Sequence, residues 1–311
     1  ILRIATFANI YVIYAVSLDL LYGFTGQLKL GHALFFGVSA YTSALLNHHF
    51  HLPPWATIPI GALVAVGTGA IVALPAMRLR GIYLALATLA FPIVLTGIIF
   101  AFSDFTGGEL GISGIVSLSS SRPIAYYITL LVMLVSVSVM WSLTDAKSKI
   151  IRVGIILQAI REDEITARAS GINTTKYKLF AFCISGFFAG IAGGLYVHVM
   201  RIAGPSTLEI MTSINPIVWT VFGGIGTIYG PVAGVYILYP LVEFLWFAKE
   251  LRGLVFSILV VIILLLMPEG IAVWFRDKIE SICPRCKLQN IVTRRNCRAC
   301  GAELHLIKRS R

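Results

Sequence analysis

Long apolar runs separated by short polar or glycine-rich breaks occupy most of the chain. Residues 5–22, 33–46, 55–77, 82–103, 123–143 and 177–199 predict successive membrane helices, most of them near the ~20 residues that about 30 Å of hydrocarbon requires. Region 214–247 is too long for a single pass and is interrupted at Gly223-Gly224-Ile225-Gly226 and Gly230-Pro231. It reads as a short broken segment, 214–221, followed by a full span from Pro231. A last span covers 251–267 and ends at Pro268-Glu269-Gly270. The fold class expected is all-α, with about 8–9 spans or broken segments. Broken helices at membrane depth are tolerated where they are buried or line a cavity, so the glycine breaks point to a solute pathway. Gly186, Gly190, Gly193 and Gly194 read instead as close helix packing.

One stretch interrupts this pattern. Residues 145–178 carry seven basic residues (Lys147, Lys149, Arg152, Arg161, Arg168, Lys176, Lys178) and four acids (Asp145, Glu162, Asp163, Glu164). A loop this basic belongs on the cytoplasmic side. Ile155, Ile156, Ala159, Ile160, Ile165, Ala167 and Ala169 recur at roughly helical spacing, and Gly171-Ile172-Asn173 is a stop signal. Two readings stay open: an amphipathic helix that docks a soluble partner, or a solvated loop that only obeys the positive-inside rule. Arg78 and Arg80 fall on the same side. Placing the C-terminal tail there too requires 214–247 to cross twice or its broken segment to run deeper.

Composition agrees with a membrane protein. Of 311 residues, 58% are hydrophobic and 13% charged, with mean hydropathy +0.87; a soluble domain would carry about twice that charge. Residues 274–311 contribute +7 of the net +11, and anionic headgroups account for such a tail without nucleic acid. The chain opens Ile1-Leu2-Arg3 without an initiator methionine, which leaves room for an upstream portion, another span included. No cleavable signal peptide is visible.

Several motifs together resemble a known family. GFTGQLKLGHALFFGVSAYTSALL (23–46), RLRGIYLALATLAF (78–91), TGGELGISGI (106–115), AIREDEITARASGINTTKYKLFAFCISGFFAGIAGGLYVH (159–198), FGGIGTIYGPVAG (222–234) and MPEGI (267–271) look like the permease subunit of branched-chain amino acid ABC importers, the Liv type. The resemblance spans roughly 5–275. It implies a second homologous permease subunit, two cytoplasmic ATPase subunits and an extracytoplasmic solute-binding protein, in a prokaryotic plasma (inner) membrane. It also implies that 145–178 holds a coupling helix, with Ala159, Arg161, Glu162, Asp163, Glu164, Ala167 and Gly171 as the ATPase-coupling residues. The family's usual core, Glu-Ala-Ala, three residues, Gly, is met here by Gly171 but by Ile165-Thr166-Ala167 at the acid position. Gly26, Gln27, Gly31, His32, Thr106, Gly107, Gly108, Gly223, Gly224 and Gly226 are expected along the translocation pathway. Two positions depart from the family. Lys29 replaces a small hydroxyl residue, and Asp19 replaces a common Asn. They are expected either to pair with each other or to leave Lys29 reaching for the headgroups.

No constellation for catalysis is present: the six histidines are scattered, and no phosphate-binding loop with a Lys occurs. ATP hydrolysis is therefore expected from partner subunits, and the chain itself is not expected to be an enzyme. The rival readings are a permease for urea or short amides, a self-sufficient secondary transporter or channel, and a membrane-anchored adaptor. The last is disfavoured by the glycine breaks. A separate module ends the chain. Cys283-x2-Cys286, ten residues, then Cys297-x2-Cys300 is the spacing of a four-thiolate zinc ribbon. The expected division is a membrane domain over 1–275 and a cytoplasmic basic tail over 276–311 with a structural Zn²⁺. Disulfides are the alternative, disfavoured by a reducing cytoplasm.

Overall fold

A computed structural model describes residues 2–27, 30–76, 82–144, 153–244, 261, 270–271, 280–283, 285 and 289–291. In chain order these form α1 (Leu2–Thr25), α2 (Ala33–Phe50), α3 (Pro54–Ala76), α4 (Ile82–Ala101), the single turn α5 (Ser103–Thr106), strand β1 (Ile112–Ser113) and α6 (Arg122–Thr144). Then come α7 (Val153–Glu162), α8 (Glu164–Ala169), α9 (Thr174–Met200), β2 (Ile202–Ala203), a 3-10 turn at Pro205–Leu208, α10 (Ile210–Gly223) and α11 (Tyr229–Phe244). Strands β3 (Glu280–Ile282) and β4 (Gln289–Ile291) form a small antiparallel hairpin. Five of these helices are long and apolar enough to cross a bilayer.

The bundle is organised on α1. Its apolar window is 83% buried, against 22% for α6. A helix hydrophobic all round is satisfied only by neighbours on all sides, and α1 packs against α6, α7, α9, α10 and α11. By contrast α3, α4 and α6 leave Leu63, Ile71, Leu86, Val94, Leu131 and Leu134 exposed, faces suited to lipid. The small residues of α9 act as expected of packing positions. A Cβ on Gly190 would stand 2.7 Å from Ala62 Cα, and one on Gly194 would stand 3.2 Å from Ile58 Cα, so α3 can lie close to α9.

Three expectations are corrected. The second apolar run does not stop at 46: α2 continues through Asn47, His48 and His49 to Phe50 and closes on His51, which takes a left-handed conformation. The broken segment is longer than 214–221, since α10 fills Ile210–Gly223 and α11 starts at Tyr229, two residues before Pro231. The helical pattern over 155–169 is two helices rather than one. The backbone at Asp163 is extended, and its side chain caps α8 by accepting from the Ile165 and Thr166 amides.

Helices α10 and α11 form an antiparallel pair. The pair places Tyr236 against Asn9 near the start of α1 and Gly226 against Asp19 near its end. Region 210–244 thus runs to the α7 end and back, and α10 is an apolar helix shorter than the five that could cross a bilayer. Gly270 lies against Gly223 and Gly224, so the chain is back at the α7 end by that residue. The span expected over 251–267 falls outside the described residues apart from Val261.

Candidate functional site at the α7 end

Three segments far apart in sequence converge here: the turn after α1, the turn between α10 and α11, and helix α7. Gly26 has φ +68° and its N–H donates to Tyr22 O, which ends α1. Gly226 has φ +76°, a left-handed conformation that favours glycine. Its N–H donates to Asp19 Oδ1 at 2.8 Å. Asp19 is fully buried, and a buried carboxylate persists only where donors or positive charge face it. The Asp19–Lys29 pairing cannot be placed, because Lys29 lies outside the described residues; Asp19 itself holds the α10–α11 turn.

Arg161 reaches the same junction. Its Nη1 donates to the Gly23 carbonyl at 2.5 Å. A Cβ on Gly26 would stand 3.4 Å from Arg161 Cγ, and one on Gly226 would stand 2.7 Å from Nη1. The side chain therefore runs between the two glycine turns, with its stem on one and its guanidinium on the other. Gly23 completes the junction, since a Cβ there would meet Asp19 and the Gly226 backbone. Together these contacts tie a charged surface helix to both glycine breaks.

The rest of the 26–32 motif is fixed by packing. Gly31 lies on the Thr88 carbonyl of α4. His32 is buried, its Nε2 3.0 Å from Ser17 Oγ, and its ring stacks on Tyr14 at 4.8 Å. The Ala33 amide donates to Ser213 Oγ of α10. Gln27 is buried. Gly223 and Gly224 pack against Gly230 within the second turn.

The expected coupling residues divide by role. Ala167 is buried, and Gly171 takes φ +84° where α8 ends. Asp163 caps α8, and its carboxyl is held below the usual range by the Thr166 hydroxyl and amide and the Ile165 amide. Partial burial pushes the Glu164 carboxyl up, but Lys178, Thr174 and Arg168 outweigh this and hold it low. Lys178 Nζ lies 2.6 Å and Arg168 Nη2 3.0 Å from the Glu164 carboxylate, which fastens α8 to the start of α9. Ala159 is partly buried and Glu162 is exposed.

Thr106, Gly107 and Gly108 are not brought to this junction. They lie at the opposite end, where Thr106 Oγ1 donates to Ile99 O and the following loop pairs Ile112 with Ala203. Sequence reasoning missed the residues that fasten this end. His198 Nδ1 is 2.8 Å from Val116 O and its Nε2 2.7 Å from Thr57 Oγ1, while Asn47 accepts from the Val116 amide. His49 stacks on Phe105 at 4.7 Å. In the tail, Cys283 is buried between the paired strands β3 and β4; Cys286, Cys297 and Cys300 lie outside the described residues.

The fold is that of a polytopic helical membrane protein whose charged surface helix is joined to two glycine turns. The chain belongs to the family of branched-chain amino acid transport system permease components, whose model matches residues 1–265. It is 30% identical over 308 residues to the high-affinity branched-chain amino acid transport system permease protein LivM of Salmonella typhimurium, covering 89% of this chain and 71% of that one. It is likewise 30% identical to LivM of Escherichia coli over 318 residues, covering 92% and 72%. Identity to the probable branched-chain amino acid transport permease protein LivH of Methanocaldococcus jannaschii is 28% over 245 residues, covering 75% and 76%. No solved structure matches.

Proposed function

We propose that this permease is the membrane-spanning subunit of an ATP-binding-cassette importer that moves branched-chain or other hydrophobic amino acids by alternating access. Two cytoplasmic ATPases would act on α7 and α8, a second homologous permease would complete the membrane part, and an extracytoplasmic protein would deliver the solute. Family membership supports the class, and the position of Arg161 is the observation that carries the mechanism. A displacement of α7 is transmitted through one side chain to both glycine turns, and through Asp19 to the central helix. The seven basic residues of 145–178 favour a cytoplasmic α7 end, and Gly270 beside Gly224 supports a tail that begins on that side. A self-sufficient transporter would have no use for α7 and α8 as a joined surface unit.

The tail is proposed to hold one structural Zn²⁺ through Cys283, Cys286, Cys297 and Cys300. A buried cysteine directly after the first of two paired short strands fits a thiolate ligand of a ribbon. Purification from native membranes in mild detergent tests both proposals. Two ATPases and a second permease should accompany the chain, and metal analysis should find about one zinc per chain. A chain that emerges alone in gentle conditions refutes the importer reading, and a metal-free, folded tail refutes the ribbon.

A further inference from the structure

The carboxyl of Asp19 is only half engaged. Its Oδ1 accepts from the Gly226 amide at 2.8 Å, whereas Oδ2 is buried and has no hydrogen-bond partner. The Arg161 guanidinium lies on the same glycine turn, since a Cβ on Gly226 would stand 2.7 Å from Nη1. Yet Nη1 is committed to the Gly23 carbonyl, and among the described residues no ion pair joins Arg161 to Asp19. An ionised carboxylate in a dry site would draw a neighbouring guanidinium into a charge-assisted bond, about twice as strong as a neutral one. An unpaired buried charge is costly and is relieved by taking up a proton. The arrangement seen fits a carboxyl that carries one.

Arg161 of α7 is the charged group that acts on Asp19. The other elements packed on α1 offer little to replace it. Helix α6 has no titratable side chain over residues 128–144, and α10 has none. On α9, Lys178 is held by Glu164, and Ser185 donates to the Ser17 carbonyl. On α11, Tyr229 is exposed and Tyr236 is turned to Asn9, at the far end of α1; Glu243 acts there on Tyr11. Ahead of α2, His32 sits on Ser17 Oγ at 3.0 Å.

We infer that Asp19 is a proton-operated positioning residue. With a proton on Oδ2, it leaves Arg161 on the Gly23 carbonyl. When the O–H bond breaks and water at the cytoplasmic end takes the proton, Oδ2 accepts from the guanidinium and clasps α7 to α1 through an ion pair. Its effect on transport rests on the importer reading above. The ionised form holds α7 more tightly, so import per ATP rises with pH. An Asn at this position keeps an acceptor for Gly226 and cannot ionise.

Two measurements test this. The first needs only the purified full-length chain. The infrared difference between wild type and Asp19→Asn should contain the carbonyl stretch of a protonated carboxylic acid, fading as pH rises from about 6 to about 9, a range that buried carboxyls reach. A spectrum that lacks the band at the acid end, or keeps it undiminished at the alkaline end, overturns the proposal. The second uses the intact importer in liposomes. Leucine uptake per ATP hydrolysed should rise about threefold over the same range in wild type, and Asp19→Asn should show no such rise. A flat wild-type profile, or the same rise in both proteins, overturns the positioning role and leaves the importer reading standing. Wild-type importer that takes up no leucine at any pH overturns the importer reading, and with it the role of Asp19 in transport.

Discussion

At the α7 end, three segments meet through one guanidinium, one buried carboxylate and glycines that offer only backbone; at the opposite end, the loop between α4 and α6 is fastened by strand pairing and by His198 and Asn47. The second arrangement distributes its hold over several hydrogen bonds, each tied to rigid helix ends. The first concentrates it in Arg161 and Asp19, with left-handed glycines at the contacts. The turn backbones approach each other and the Arg161 side chain closely at Gly23, Gly26 and Gly226, so any shift of α7 is felt in both turns. The difference is one of redundancy: loss of one side chain undoes much of the first arrangement and little of the second.

The sharpest break of this comparison is Arg161→Ala. It removes the donor to Gly23 and the stem on Gly26, and should cut leucine uptake per ATP hydrolysed by about tenfold or more. Arg161→Lys should restore part of it, since the charge returns without the planar fork. Coupled uptake and ATPase assays on the same vesicles decide this, and unchanged stoichiometry in Arg161→Ala would remove the transmission argument. A smaller effect is expected at the other end. His198→Ala leaves the Thr57 hydroxyl and Val116 carbonyl without their partner and should cost about 1–3 kcal/mol of stability. It should lower the melting temperature of the purified complex while uptake per ATP stays unchanged.

The smallest effect concerns the junction of α8 and α9. The Asp163 and Glu164 carboxyls are both held below their ordinary values of 3.8 and 4.5. Their contribution is therefore fully present above the unfolded carboxylate range and is lost as pH falls through the lowered folded values. Amide exchange over 164–171 should accelerate below about pH 4, before that of α9. Simultaneous loss of both would show that α8 has no separate tie.

Much of the architecture was legible in the chain. Hydropathy located 123–143 and 55–77 within a residue or two of α6 and α3, because bilayer thickness imposes a length that apolar residues record locally. Where polarity and helicity part company, the reading failed. Asn47, His48 and His49 continue α2 although they look like a turn, and apolar spacing runs through Asp163 although the helix stops there. An N-cap signal was present in Asp163 followed by Glu164 and Thr166, but the periodic pattern masked it. The glycines of 26–31 and 223–226, singled out for a pathway, are seen here as close-packing positions, and nothing local said that one arginine would lie between Gly26 and Gly226.

The sequence by itself determined that this is a multi-pass helical membrane protein of the Liv-type permease family, with one charged helical region on its basic side. Those properties reside in composition, run length and motif order, all read within a few tens of residues. Only the tertiary structure decided that Asp19 holds Gly226 and that Arg161 reaches Gly23. Asp19 and Gly226 stand 207 positions apart, and Arg161 and Gly23 stand 138 apart. A single chain fixes such pairings only by packing all its helices at once, since buried polar groups must find partners wherever the bundle brings them.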